Sequence, residues 1–334
     1  MLKDSLMKSV VTGGAGFIGS NLVDHLVLKG HKVIVLDNFS TGRRSNLSHH
    51  KKNKVKIVKT DISKNNQLDK YFKGVNYVFH LAGLADIVPS ITNPNNYFQT
   101  NVKGTLNILE ASKKVGIKKF IYAASASCYG IPKKYPTNEN SKIDPKYPYA
   151  LSKLQGEQLV LHWAKVYKMP NVSLRFFNAY GQRSSIKSSY GSVFGIFLAQ
   201  KLAKKPLTIV GDGNQTRDFV HINDLVDAIV KSAEKGRNGE VYNVGSGREV
   251  SINSIANLIG GDKFFVQKRL GETDRSLADI SKIKKELNWK PKITIETGVK
   301  MLLKNIKDWQ HARVWTAKQM SQATRASHEY LNKN

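Results

Sequence analysis

Between Lys8 and Asp37 the chain sets five signals in one order: a β-branched run, a glycine turn, an amphipathic stretch, a second apolar run and an acid. Lys8 to Thr12 reads as a short strand, and Gly13, Gly16 and Gly19 open the turn after it. Ser20 to Lys29 places Leu22, Val23, Leu26 and Val27 on one face of a helix. A second strand, Lys32 to Leu36, runs into Asp37, 18 residues after Gly19. A helix that starts on a glycine turn offers its backbone N–H groups to an anion such as a pyrophosphate. An acid at the end of the next strand stands where ribose hydroxyls are met. The glycine spacing departs by one residue from G-x-G-x-x-G, so the order of elements, more than the glycines, points to a dinucleotide site.

The alternation continues. Val55 to Val58, Tyr77 to Ala82, Phe120 to Ala124 and Val172 to Phe176 read as strands, with helices at Gln67 to Phe72, Pro94 to Val115 and Tyr149 to Tyr167. Repeated strand–helix units predict an α/β chain with a doubly wound parallel sheet, a Rossmann-type nucleotide domain. Ligands of such sheets lie beyond the carboxyl ends of the strands, and Gly13, Asp37, Asp61, Ala82, Gly83, Ser125 and Asn178 all fall there. Past Asn178 the rhythm breaks into Val193 to Ala203 (helix), Leu207 to Val210 (strand), Val220 to Ala233 (helix), Val241 to Val244 (strand) and Ile252 to Leu258 (helix). The expected division is a nucleotide domain of 1–178 and 212–237, a smaller α/β substrate lobe of 179–211 and 238–308, and a tail of 309–334. In the tail, Thr316 is placed to cap a weakly amphipathic helix.

Tyr149 precedes Lys153 by four residues, which puts both side chains on one face of a helix. An ammonium there is expected to lower the phenol from its ordinary pKa of about 10 toward a usable base. Cys128 is the one cysteine, so no intramolecular disulfide or multi-cysteine metal site is available, and no metal is expected. Lys and Arg number 53 against 25 Asp and Glu, a formal charge of +28. The basic residues are scattered through helix ends and turns, without zinc-finger or RNP-type patterns. Surface charge that helps capture an anionic nucleotide is the preferred reading over nucleic-acid binding. No apolar run approaches the ~20 residues that span a bilayer, and the polar start at Met1 to Ser9 predicts a cytoplasmic chain.

From Lys8 to about Asp308 the segments TGGAGFIGS, DNFSTG, HLAG, NVKGT, YAASASCYG, YALSK, LRFFNAYG, GDGNQTRDFVHINDL, NVGSG and SLADISK follow one another in order. Together they resemble the extended short-chain dehydrogenase/reductase family, specifically its nucleotide-sugar epimerases and dehydratases. The resemblance implies NAD, with Gly13, Gly16, Phe17, Ile18 and Gly19 at the pyrophosphate and Asp37, Asn38, Ser40 and Gly42 at the adenosine ribose. It puts Asp61 and Ile62 beside adenine and Leu81, Ala82 and Gly83 along the middle of the cofactor. Arg43 and Arg44 would suit the 2′-phosphate of NADP, but the carboxylate of Asp37 would repel it.

In such enzymes Tyr149 takes the proton of a sugar hydroxyl, Lys153 holds the phenolate and the nicotinamide ribose, and Ser125 hydrogen-bonds the reacting oxygen. Ser127 and Asn178 would contact the substrate, Arg217 and Arg269 its diphosphate, and Glu272 the nucleotide ribose. Ser276 matches a wall position that is bulky in epimerases restricted to UDP-glucose. The family's 4,6-dehydratases carry Asp-Glu after the serine or threonine, and its decarboxylases a glutamate before the Cys128 position; here Ala126 and Ser127 stand there. The implied outcome is 4-epimerisation, most like that of UDP-N-acetylglucosamine 4-epimerases, with UDP-glucose and UDP-galactose as a further pair. The polar loop Gln182 to Tyr190 leaves UDP-glucuronate as the alternative. A homodimer is implied through Pro94 to Val115 and Tyr149 to Tyr167, with Leu106, Leu109, Leu159 and Trp163 on their outer faces.

Overall fold

The computed structural model describes residues 7–64, 68–184, 193–268, 273–316 and 318–322. Short β-branched runs and longer amphipathic stretches alternate as β1 (Lys8–Thr12), α1 (Phe17–Leu28), β2 (Lys32–Asp37), β3 (Val55–Lys59) and β4 (Tyr77–His80). Next come α2 (Ile87–Thr92) and α3 (Pro94–Phe98), joined through a π-helical turn, Gln99–Lys103, to α4 (Gly104–Lys113). β5 (Lys119–Ser125), α5 (Pro148–Tyr167), β6 (Asn171–Phe176) and β7 (Asn178–Tyr180) complete the first half. The second half contains α6 (Val193–Leu202), β8 (Leu207–Val210), β9 (Thr216–His221), α7 (Ile222–Lys235) and β10 (Glu240–Val244). It ends with β11 (Glu249–Ser251), α8 (Ile252–Ile259), β12 (Lys263–Val266), α9 (Ser281–Leu287) and α10 (Ile295–Lys304).

Seven parallel strands form the main sheet in the order β10-β6-β5-β4-β1-β2-β3. Because side chains alternate along a strand, Val10, Ile34, Val78 and Phe120 pack on one face with Ile108, Leu109 and Val160 of α4 and α5. Val11, Val35, Phe79 and Ile121 pack on the other with Leu22, Leu26, Leu225 and Ile229 of α1 and α7. Both faces are buried, which is why these strands read as near-continuous apolar runs. The strand order reverses between β1 and β4, the switch point where such sheets bind ligands.

The lobe is built from smaller pieces: β7 parallel to β9, β11 antiparallel to β9, and β8 parallel to β12. Phe194, Phe197, Leu207, Ile209, Ile255 and Leu302 form its core, and Trp309, Trp315 and Met320 are buried in the same cluster. The tail up to residue 322 therefore covers the lobe. Thr316 Oγ1 accepts the Gln319 N–H and Gln319 Oε1 accepts the Thr316 N–H, a reciprocal cap at the position the sequence marked.

Three expectations are corrected. The helix expected from Val220 starts at Ile222, because Val220 pairs in β9 and the His221 ring accepts the Asn223 N–H as an N-cap. β10 lies in the large sheet in register with β6, with Tyr242 and Val244 buried in the nucleotide-side core. The division at 237/238 thus cuts through that sheet, while β9, assigned to the nucleotide domain, pairs with lobe strands. Leu109 and Trp163 are not on an outer face: both are buried in the core beneath α4 and α5, with Leu106 and Leu159 packed partly against it. Among the described residues no helix is long and apolar enough to cross a membrane.

Candidate active site

The glycine turn is shaped by close approach. Gly13 has φ +67°, and a Cβ there would lie 2.8 Å from the Ala82 backbone, where β4 ends. A Cβ on Gly19 would run into the Gly13 carbonyl. Gly16 is the N-cap of α1 and provides no side-chain cap, so Phe17, Ile18 and Gly19 begin a helix whose dipole and amides meet no side-chain competitor. Asp37 closes β2; its Oδ2 accepts the Ala15 N–H at 2.9 Å and its Oδ1 the Phe39 N–H at 2.7 Å. Burial pushes its carboxyl pKa up, and the two amides oppose the shift. A Cβ on Gly42 would sit 3.0 Å from Asp37 Oδ2, so glycine lets this loop lie against the carboxylate.

Asn38 folds back on the Ser40 N–H at 3.0 Å, and Asp61 accepts the Ser63 N–H and Oγ–H. Ile62 is buried, and its carbonyl accepts from Asn107 at 2.8 Å. The expected cofactor residues, with Leu81, Ala82 and Gly83, thus gather at the ends of β1 to β4. A turn closed to a Cβ at Gly13 and Gly19, an uncapped helix start and a buried carboxylate fit a dinucleotide.

Ser125 ends β5, and its Oγ accepts the Ser127 N–H at 3.2 Å and the Ser127 hydroxyl at 2.8 Å. Ser125 and Ser127 lie beside the Tyr149 phenol and favour its ionised form. Burial drives the Tyr149 pKa up from its ordinary value, and the serines oppose it. Lys153 is pulled down to about 7 by burial, its Nζ 4.5 Å above the Tyr122 ring and 3.6 Å from where a Cβ on Gly83 would stand. The expected lowering of the tyrosine by the lysine is not what acts on Tyr149: desolvation of the phenolate sets the direction, and the groups that oppose it are the two serines.

Several supporting residues escaped the sequence reading. Thr105 gives its hydroxyl proton to the Asn101 carbonyl at 2.6 Å, so it must accept from His80 Nε2 at 2.9 Å. That leaves His80 Nδ1 to accept from Thr12 Oγ1 at 2.7 Å, while Thr12 Oγ1 accepts the Ala82 N–H. This assignment rests on the neighbours' proton counts and agrees with burial pushing His80 down to about 3. Asn101, in the π-helical turn, accepts the Leu84 N–H and donates to the Leu84 carbonyl and to Ser152 Oγ. One buried polar chain thus ties the end of β4 to the helix that carries Tyr149 and Lys153. The available signal was an asparagine inside a helical pattern, which interior helix turns disfavour. Asp86 was also missed: its charge reaches Tyr149 and adds to the upward shift.

Behind the Ser125 turn, Arg175 Nη2 lies 2.6 Å from Glu157 Oε1, with Ser173 also donating to Glu157. Arg175 Nη1 donates to Tyr129 Oη, which donates to Asn243. On the lobe side, the buried carboxylate of Asp218 accepts from the Ser246 amide and hydroxyl, the Gly247 N–H and the Ala278 N–H. Its carbonyl accepts from Asn178 at 3.3 Å, and Arg217 precedes it in β9. Asp218 thus ties Asn178 and the segment that carries the half-buried Ser276 to β9, in which Arg217 lies. Arg269 and Glu272, and residues 185–190 of the polar loop, lie outside the described residues.

Residues 9–245 match the model of the NAD dependent epimerase/dehydratase family. The UDP-glucose 4-epimerase of Mycolicibacterium smegmatis is 35% identical over 307 residues, 88% of this chain and 96% of that protein. A crystal structure of UDP-glucose 4-epimerase with UDP-glucose from Thermotoga maritima superposes with TM-score 0.85 at 34% identity, covering 90% of this chain and 99% of that one. The UDP-N-acetylglucosamine 4-epimerase of Methanobrevibacter ruminantium, in complex with UDP-N-acetylmuramic acid, gives the same TM-score of 0.85, 34% identity and 90% and 99% coverage.

Proposed function

Because the chain belongs to the NAD dependent epimerase/dehydratase family, we propose that it catalyses the 4-epimerisation of a UDP-hexose through a transient 4-keto sugar. NAD is the preferred cofactor, since Asp37 presents a carboxylate where the 2′-phosphate of NADP would lie. Gly13 to Gly19 would hold the pyrophosphate, Asp37 the ribose, Asp61 and Ile62 the adenine, and Leu81 to Gly83 with Lys153 the nicotinamide end. When bound, the dinucleotide supplies the hydride acceptor and a positive ring that favours a nearby phenolate.

The chain's own part is proton handling. Tyr149 removes the proton of the sugar 4-hydroxyl and, once the keto sugar has turned, returns it to that same oxygen. Ser125, held by Ser127, donates to the oxygen on which charge builds. Arg217 and Arg269 take the diphosphate as planar donors, with Asn178 and Glu272 at its flanks.

The observation that carries epimerisation is Ser127: a hydroxyl bonded to Ser125 occupies the turn where dehydratases and decarboxylases place an acid. With no carboxylate on that turn, return of the hydride is the simplest fate. Asp86 approaches Tyr149 from α2 instead. The small Ser276 favours a 2-acetamido sugar, so UDP-N-acetylglucosamine and UDP-N-acetylgalactosamine are the first choice, and UDP-glucuronate the second. Incubation with a panel of UDP-sugars, following the C4 proton by NMR, tests this. Release of carbon dioxide or loss of the 6-hydroxyl, in place of an inverted C4, would overturn it. A homodimer through α4 and α5 belongs to the same reading, with exposed Leu151, Val166 and Tyr167 on α5; a monomeric mass at micromolar concentration counts against it.

A further inference from the structure

We propose that Asp24, His49 and His50 form a site for a borderline divalent transition-metal ion of the Zn²⁺ class, remote from the chemistry of Tyr149. Asp24 lies on α1, and the two histidines lie in the connection between β2 and β3. His49 Nε2 is 2.9 Å and His50 Nε2 is 2.7 Å from the same atom, Asp24 Oδ1. The three donor atoms all lie within 4.8 Å of one another. Zinc bonds of about 2.0–2.2 Å to imidazole and carboxylate bring all three onto one ion after a small swing of the His49 ring, which is half exposed. Two imidazoles and a carboxylate, with water in a fourth position, are the donor set this class of ion prefers.

The surroundings support it. Arg183 Nη1 pairs with the other oxygen, Asp24 Oδ2, at 2.8 Å, so one oxygen is oriented from outside and the other is left facing the histidines. The histidine rings stand 4.1 Å apart and turn together toward Asp24 although they are adjacent in the chain. The same connection carries Asn38, Ser40 and Gly42, and its Asn46 donates to the Ala15 carbonyl. An ion here would fasten α1 to the loop that flanks Asp37.

The test is titration of untagged, chelator-treated protein with Co²⁺, read by its visible absorption, followed by competition with Zn²⁺. One Co²⁺ per chain is expected, displaced by Zn²⁺. His49→Ala and Asp24→Asn should each weaken binding by roughly tenfold or more, and His311→Ala should leave it unchanged. His49 is exposed enough that His49→Ala should keep the metal-free melting temperature. Absence of saturable binding up to about 1 mM, or equal binding by His49→Ala, would show an ordinary hydrogen-bonded cluster and overturn the site.

Discussion

The nucleotide sheet and the lobe place their functional groups in different ways. In the sheet, Gly13, Asp37, Ala82 and Ser125 stand at the ends of strands, and those of β1, β2, β4 and β5 are each paired on both sides. Their relative positions follow from strand register, and a buried polar chain from Thr12 to Ser152 adds a second constraint. In the lobe, β7 and β11 are three residues long. The segment bearing Ser276 is held by the buried carboxylate of Asp218 and by a few backbone bonds to Thr137 and Thr216. On the proposed reading, the difference separates proton chemistry, on the rigid sheet and the helix α5 packed against it, from choice of sugar, on loops that change without disturbing the fold.

The largest effect should come from the sheet side. Tyr149→Phe should lower turnover by roughly a thousandfold, about 4 kcal/mol in the barrier, while the protein still carries NAD released on denaturation. Lys153→Ala should damage both turnover and cofactor retention. Activity of Tyr149→Phe within tenfold of the parent would remove the chemistry from the sheet, and with it the contrast.

Next in size is Glu157→Gln, which leaves Arg175 buried without its countercharge. Urea unfolding should show a loss of about 3–5 kcal/mol. The exposed pair Lys29–Glu234, 43% and 45% exposed, gives the contrast: Glu234→Gln should cost less than about 1 kcal/mol. Equal costs would mean that the sheet is no more demanding than the surface.

This contrast also explains what the sequence disclosed. β1, α1 and β2 are readable because burial on both faces forces unbroken apolar runs and the turn forces glycine. Tyr149 and Lys153 are readable because helix periodicity fixes which side chains are neighbours. The placement of β10 was hidden, because Glu240 to Val244 pairs with a strand more than sixty residues earlier in the chain and nothing local records that partner. His80, Asn101 and Asp218 were hidden for a related reason. Each is a polar residue whose value lies in long-range partners, and its own neighbours in sequence give no period.

A smaller effect separates two buried histidines, one on each side of the comparison. His80 in the sheet is pushed down to about 3 and His221 at the lobe junction to about 4, both by burial. Unfolded, each takes a proton near pH 6.5. The unfolded state therefore binds more protons below that pH, and stability falls as pH drops from 6.5 toward 3–4. Each should remove about 2 kcal/mol between pH 8 and pH 5, partly offset at the acid end by buried carboxyls such as Asp218, whose pKa is raised. Urea unfolding at the two pH values measures these together with Lys153, His25 and His31, whose lowered pKa values act in the same direction, and NMR of the ring protons, which isolates His80, should find it neutral at pH 5. A His80 ring that titrates near 6.5 in the folded protein would break the account of the Thr12–Thr105 chain.

The smallest effect is also the most selective, and it concerns the lobe alone. Ser276 is half-buried, and its segment is fixed two residues later by the Ala278 N–H to Asp218 bond and one residue later by the Leu277 carbonyl, which accepts the Thr137 N–H at 2.8 Å. A backbone held at both points cannot retreat from a larger side chain, so Ser276→Tyr should project its ring into whatever space the serine borders. If that space receives the C2 substituent, an acetamido group clashes and a hydroxyl does not. Packed sites absorb added volume at a cost of about 1–3 kcal/mol, and a pocket distinguishes groups of this size by similar amounts. Activity on UDP-N-acetylglucosamine should therefore fall roughly tenfold, about 1.4 kcal/mol, with activity on UDP-glucose kept or improved. Thermal unfolding should be nearly unchanged, since the ring enters the site and not the core. Equal loss on both sugars would make Ser276 a structural residue, and the choice of sugar would then rest with the segments around Arg269 and Gln182.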